Sequence, residues 1–263
     1  MAAAARAAHL IVDAEPYVFA DPLAASLLGD RADELIDYHR KHGDHVVLAG
    51  ARAQVVIRSR LAEARLAASG AGQYVILGAG LDSFAHRSPL ARDLRVFEVD
   101  HPDTQEAKRS RLRGPAGTPT YVPVDLEHDP LIEALCTAGL DVTRRVFVSW
   151  LGVSMYLTRE AIAGTVGALA TLAPGSQLVL DYLLPAGLRD GDGQTYAELV
   201  APVSAERGEP WRSYFTPDEL AAELAGFGPV TSVGQHEAIA WPRADALRPA
   251  RLSMVAHATR SGR

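Results

Sequence analysis

Two glycines two residues apart close the apolar run "YVILGAGLDS" (residues 74–83). Without a Cβ at Gly78 and Gly80, backbone and ligand can approach each other closely at that point. Further along, "VFEVDHP" carries Glu98 and Asp100, two apart and so on one face of a strand. A carboxylate at the end of the second strand of an open α/β sheet can accept both hydroxyls of a ribose, in NAD and S-adenosylmethionine (SAM) sites alike. In "VPVDLEHD", Asp125 could reach an adenine amino group while Leu126 packs against the ring. The phosphate-binding fingerprint G-x-G-x-x-G is incomplete, because Ser83 stands in the third glycine's place. Asp82 also sets a negative charge where a pyrophosphate would need a helix N-terminus free of charge. Each acid alone reads more readily as a solvated strand-end charge or a helix cap. Their joint register is what indicates an adenosyl ligand without phosphates, hence SAM.

These residues need strands to hold them, and the texture of the chain supplies them. From Gln73 onward, short apolar runs recur: "QYVILG", "LRVFEVD", "TYVPVD", "RRVFVSWLG" and "SQLVLDYLL", followed by "PVTSVGQ" and "RLSMVAHAT". Between them lie segments of helical spacing, "PDTQEAKRSRL", "PLIEALCTAG", "TREAIAGTVGALATLA" and "TPDELAAELAGFG". Runs apolar on both faces, alternating with helices, predict a doubly wound, mostly parallel sheet of seven strands, the last pair returning antiparallel. Residues 20–70 read as helical, with a stop at Gly43. The expected organisation is a helical N-terminal extension, 1–70, and a SAM-binding α/β domain, 71–263, forming one compact unit. The stretch "PAGLRDGDGQTY" reads as polar and glycine-rich.

With 263 residues, 48% of them hydrophobic, the chain can bury one full core. A net charge of −6 gives no electrostatic reason to expect nucleic acid or an anionic membrane as partner. The single cysteine, Cys136, excludes an intramolecular disulfide and reads as a small buried hydrophobe on a helix. No apolar run reaches the ~20 residues of a membrane span, and no signal peptide is read at the start. A cytoplasmic enzyme, monomer or homodimer, with a small-molecule acceptor is expected.

The motifs "VILGAGLDS", "VFEVDHP", "VPVDL" and "SWLGVSMYL", in this order, resemble the leucine carboxyl methyltransferase family of class I SAM-dependent methyltransferases, with "GEPWRSYFTPDEL" similar to its bacterial branch. The similarity runs over residues 16 to 258. It implies a Rossmann-like class I fold and methyl transfer to a small acid or polyketide-like metabolite. It also implies roles for single residues: Gly78 beside the amino-acid portion of SAM, Asp100 on the ribose, and Asp125 and Leu126 on the adenine. An arginine pairs with the SAM carboxylate in the family; Arg58 of "VVIRSRLAE" is the best match, with Arg52 and Arg60 as rivals. The family's glutamate before the glycine of the fourth motif, a contributor to the cofactor site, is Leu151 here.

On the acceptor side, Tyr156 and Tyr182 follow the fourth and fifth strands, and "EPWRSYF" brings Trp211, Arg212, Tyr214 and Phe215. An arginine among rings could clamp a carboxylate while the aromatics cover an aromatic body; equally, Trp211 and Phe215 could pack the next helix onto the sheet. His86 could serve as a base on a phenol, but reads better as a partly buried helix residue with a satisfied nitrogen. His39, His42 and His45 read as a solvated helix end, and no metal site is expected. The candidates for catalysis are thus His86, Tyr156, Arg212 and Tyr214, and for cofactor binding Arg58, Gly78, Gly80, Asp100, Asp125 and Leu126. The activity expected is O-methylation of a carboxylate or phenol of a small metabolite. The alternatives are an NAD-dependent oxidoreductase on a similar sheet and a non-catalytic SAM-binding protein.

Overall fold

A computed structural model describes residues 1–112, 119–238, 245, 247 and 249–262. The N-terminal helices are α1 (Ala2–Val12), α2 (Ala24–Leu27), α3 (Ala32–His42) and α4 (Val46–Ser69). The sheet and its crossovers follow as β1 (Gln73–Leu77), α5 (Phe84–Arg87), β2 (Arg95–Asp100), α6 (Pro102–Arg109), β3 (Thr120–Pro123), α7 (Leu131–Thr137), β4 (Val146–Trp150), α8 (Arg159–Leu169) and β5 (Gln177–Leu183). The C-terminal part holds α9 (Gly191–Glu206), α10 (Pro217–Glu223), β6 (Val230–Gly234) and β7 (Ser253–Thr259).

The seven strands lie in the order β3-β2-β1-β4-β5-β7-β6. β1 to β5 are parallel, and β7 runs antiparallel between β5 and β6. Strand order reverses at β1, so a crevice opens between the carboxyl ends of β1 and β4, where open α/β sheets bind ligands. Alternating side chains send Val75, Leu77, Phe97, Val99, Val148 and Trp150 to the face covered by α7, α8 and α10. Tyr74, Ile76, Val96 and Phe147 face α4 and α5. Both faces are covered, which is why these strands read as unbroken apolar runs.

The N-terminal helices are tied together by buried charge. Arg52 on α4 donates from Nε and Nη2 to the two oxygens of Asp13, both at 2.9 Å, and from Nη2 to the Gly43 carbonyl at 3.0 Å. His9 Nδ1 lies 2.8 Å from the same carboxylate, and His9 Nε2 accepts the Val18 N–H at 3.0 Å. His39 Nδ1 is 3.3 Å from Arg52 Nη1.

Two local expectations are corrected, and one segment gains a structure the sequence did not assign it. His39 is 4% exposed, not a solvated helix end, because it packs over Arg52; His42 and His45 are exposed. Cys136 is exposed rather than buried, on the outward side of α7. The glycine-rich stretch after β5 opens α9, whose first turn is capped by Asp190 accepting the Gly193 N–H at 2.7 Å. A Cβ at Gly193 would meet the Arg251 carbonyl, so glycine there is a packing requirement.

Candidate cofactor site

β1 delivers the chain into a turn at Gly78 (φ +63°) and Gly80 (φ +48°), left-handed conformations that favour glycine. A Cβ on Gly78 would run into the side chain of Val153, which follows β4. The glycine loop and the β4 tip are therefore in direct contact across the point of strand reversal. β2 braces the loop from the other side. The Ala79 N–H donates to the Val99 carbonyl at 3.0 Å, and the Gly80 N–H donates to Asp100 Oδ2 at 2.6 Å. Asp100 Oδ1 accepts the His101 N–H at 2.7 Å, so both oxygens of this half-buried carboxylate hold backbone. Asp82 accepts the Phe84 N–H at 2.7 Å in the turn that leads into α5.

β3 ends beside Asp100: the Val124 N–H donates to the Asp100 carbonyl at 3.0 Å. Asp125 follows, accepting the Glu127 N–H at 2.9 Å, and half-buried Leu126 packs against the core. Gly78, Gly80, Asp100, Asp125 and Leu126 thus stand on three adjacent strand ends.

The three arginines separate cleanly. Arg52 is buried in the Asp13 cluster, and exposed Arg60 donates to the Val18 carbonyl at 3.3 Å. Arg58 alone reaches the β4 tip. Its Nη1 donates to Asp181 Oδ2 at 2.7 Å, and its guanidinium lies where a Cβ on Gly152 (φ +75°) would sit. Asp181, on β5, was not singled out in the sequence, although an acid inside the apolar run "LVLDYLL" is itself a signal that a partner must exist.

The acceptor-side expectations divide. Tyr156 and Tyr214 join Tyr196 of α9 and Trp211 around an apolar cluster of Met155, Leu183, Ala197 and Leu252. Burial pushes the Tyr156 phenol up and the Tyr196 phenol to about 12. Tyr182 is fully buried in the core, its hydroxyl near Met254 Sδ, so it leaves the list of substrate-facing groups. Phe215 is likewise core, 1% exposed, with the Arg159 guanidinium over its ring. Arg212 is half-exposed and lies 3.7 Å from Glu127. His86 sits on α5, and its buried Nε2 has no hydrogen-bond partner among the described residues, contrary to the expectation of a satisfied nitrogen. Desolvation lowers its pKa, with Lys108 adding to the effect.

Beneath Asp100 on the same face of β2, buried Glu98 accepts from Lys108 Nζ at 2.5 Å. Burial raises the Glu98 carboxyl to about 7 against the pull of that ammonium. Among the described residues no group of three or more His, Cys, Asp or Glu could hold a metal ion, and no helix is long and apolar enough to cross a membrane.

The family described as leucine carboxyl methyltransferase matches residues 1–170. A Bacillus subtilis (strain 168) protein named "Putative S-adenosyl-L-methionine-dependent methyltransferase YktD" is 39% identical over 169 residues, 60% of this chain and 54% of that protein. A Mycolicibacterium gilvum (strain PYR-GCK) protein named "Putative S-adenosyl-L-methionine-dependent methyltransferase" is 35% identical over 223 residues, 77% of this chain and 70% of that one. The match thus spans about half the length of the first relative, 54%, and more of the second, 70%. The crystal structure of a protein from Thermobifida fusca YX, named as a "putative methyltransferase", superposes with a TM-score of 0.63 at 21% identity, covering 90% of this chain and 92% of that one. That likeness confirms the fold, a seven-stranded sheet of the class I methyltransferase type. The family match, by contrast, rests on sequence and bears on the cofactor, favouring SAM over a dinucleotide. The chain belongs to the leucine carboxyl methyltransferase family of SAM-dependent methyltransferases.

Proposed function

We propose that the chain is a SAM-dependent O-methyltransferase whose acceptor is a carboxylate or phenol of a small metabolite. The observation that carries the reading is the contact chain at the strand reversal: Asp100 to Gly80, Gly78 to Val153, and Arg58 to Gly152. The residues fit the cofactor. Gly78 and Gly80 present bare backbone at the strand reversal, Asp100 and Asp125 offer acceptors suited to ribose and adenine polar groups, and the Arg58 guanidinium offers donors suited to a carboxylate.

SAM bound there supplies an electrophilic methyl group on a sulfonium. Asp100 would hold the ribose, Asp125 and Leu126 the adenine, and Arg58 the carboxylate. Displacement at a methyl group gains most from positioning and from exclusion of water, with well-oriented intramolecular reactions gaining on the order of 7–11 kcal/mol. Tyr156, Tyr196, Trp211 and Tyr214 would form the apolar wall on the acceptor side. An acceptor carboxylate is ionised at neutral pH and needs no base, whereas a phenol of pKa about 10 gains from one. His86, whose pKa burial lowers, could accept that proton, but it sits on α5 directly after β1, whereas the aromatic wall packs on Leu183 at the end of β5, and β4 lies between those two strands. The geometry therefore favours a carboxylate acceptor.

The test is thermal shift with SAM, S-adenosylhomocysteine and NAD, followed by turnover of labelled SAM across a panel of small acids and phenols. Stabilisation by the two adenosyl ligands and labelled methyl ester product are expected. Stabilisation by NAD alone would defeat the reading, and SAM binding without turnover on any acceptor would favour a non-catalytic SAM-binding protein.

A further inference from the structure

Leu151 leaves the β4 tip without the acid that the family resemblance would put there. Its side chain packs, half-buried, against the apolar cluster that includes Tyr74, Ile76 and Phe84. An acid does reach the same tip from the neighbouring strand. Asp181 Oδ1 accepts the Gly152 N–H at 2.5 Å, Oδ2 accepts Arg58 Nη1 at 2.7 Å, and the Asp181 carbonyl accepts the Ser154 hydroxyl at 2.7 Å. The Asp181 side chain is 1% exposed and that of Arg58 is 13% exposed. Asp181 therefore grips the loop after β4 at two points and one edge of the guanidinium at a third. Gly152, at φ +75°, leaves the room that the guanidinium occupies. Among the described residues, Nε and Nη2 of Arg58 make no hydrogen bond, so they remain available to an anion.

We propose that Asp181 is a positioning residue: through Arg58 it orients the N–H groups that receive the carboxylate of the SAM amino-acid end, in place of the acid missing at residue 151. The inference rests on the SAM reading above. A charged pair fixed at 2.7 Å in a nearly dry setting spends no ligand energy on ordering the long arginine side chain. The anchor on Gly152 also fixes the distance from Arg58 to the glycine loop, because Val153, the next residue, touches Gly78.

The experiment compares two probes in calorimetric titrations of the whole chain: S-adenosylhomocysteine, which has the amino-acid end, and 5′-methylthioadenosine, which lacks it. Asp181→Asn keeps an oxygen for the Gly152 N–H but turns an amide NH2 toward Arg58. It is expected to weaken S-adenosylhomocysteine by about 10- to 100-fold, as loss of a bond to a charged group does, and to leave 5′-methylthioadenosine unchanged. Arg58→Ala should show the same selective loss, and the double variant should lose no more than either alone. Should Asp181→Asn not fold, Gly152→Ala displaces the guanidinium without altering Asp181 and should give the same selective loss. Equal weakening of both probes, or of neither, overturns the positioning role while leaving the SAM reading intact. A wild-type chain that binds neither probe overturns both.

Discussion

Asp100→Asn tests the cofactor site at its brace. In the wild type each carboxylate oxygen accepts one backbone N–H, from Gly80 at 2.6 Å and from His101 at 2.7 Å. Asparagine has a single oxygen, so one of these N–H groups must face an NH2. That leaves two donors opposed, and an unsatisfied donor costs about 1–3 kcal/mol. Asp100 is half-buried, so water recovers part of the loss and a value near 1.5–2 kcal/mol is expected. Because Gly80 belongs to the loop that a ligand must approach, the cost falls on binding as well as on the fold. Titration with S-adenosylhomocysteine should show affinity lower by about 10- to 30-fold, since each 1.4 kcal/mol is tenfold. The change of charge contributes in the same direction, because hydrogen bonds from ribose hydroxyls to a carboxylate are stronger than to an amide. Asp100→Asn affinity within about twofold of wild type, with an unchanged melting temperature, would show that the brace and the ribose acid are not this residue.

Gly78→Ala forces a left-handed residue to carry a Cβ into Val153; a lower melting temperature together with loss of S-adenosylhomocysteine binding is expected, and an unaffected titration would separate the loop from the site. Arg52→Met strands the buried Asp13 carboxylate and should cost about 3–5 kcal/mol in urea denaturation; a loss under about 1 kcal/mol would mean the cluster is not structural. His39 gives a pH prediction: burial first, then Arg52, lowers its pKa from 6.5 to about 4. The unfolded chain then binds the extra proton between those values, so His39's contribution is intact above pH 6.5 and is lost as pH falls through 4. His39→Gln should flatten the melting temperature between pH 6.5 and 4, and an equally steep profile in the variant would refute the assignment.

The sheet was legible because burial on both faces makes strands such as "YVIL" and "VFVSW" almost wholly apolar and uncharged. The places of Gly78, Gly80 and Asp100 in the fold were legible for a local reason too, since backbone freedom and a strand end mark them in the sequence. What stayed hidden depends on partners distant in sequence. Three arginines on α4 look alike in the string "ARAQVVIRSR", yet only Asp13, 39 residues from Arg52, and Asp181, 123 residues from Arg58, tell them apart. His39 misled in the same way, since the Arg52 guanidinium that lies against it comes from α4 rather than from its own segment. Helix α9 was hidden because Gly191, Gly193 and Pro202 lower helix propensity, and tertiary contact with Arg251 outweighs that penalty.

Asp181 shows how a site can keep its electrostatics while changing its residues. An arginine held by an acid is nearly neutral as a pair, so a ligand carboxylate meets directed N–H groups rather than a bare excess of positive charge. Where that acid comes from matters less than that it stays buried and fixes the guanidinium. β5 lies next to β4, with Leu180 in register with Trp150, so the residue after Leu180 is the one able to reach the backbone just beyond β4. In parallel pairs the neighbouring strand end is always within such reach. An apolar Leu151 is therefore compatible with an intact site, because Asp181 restores the acid one strand away. Grafting Leu151→Glu would then add a second negative charge beside the pair. Weaker rather than tighter binding of S-adenosylhomocysteine is the expected outcome, and tighter binding would mean that the tip does lack an acid.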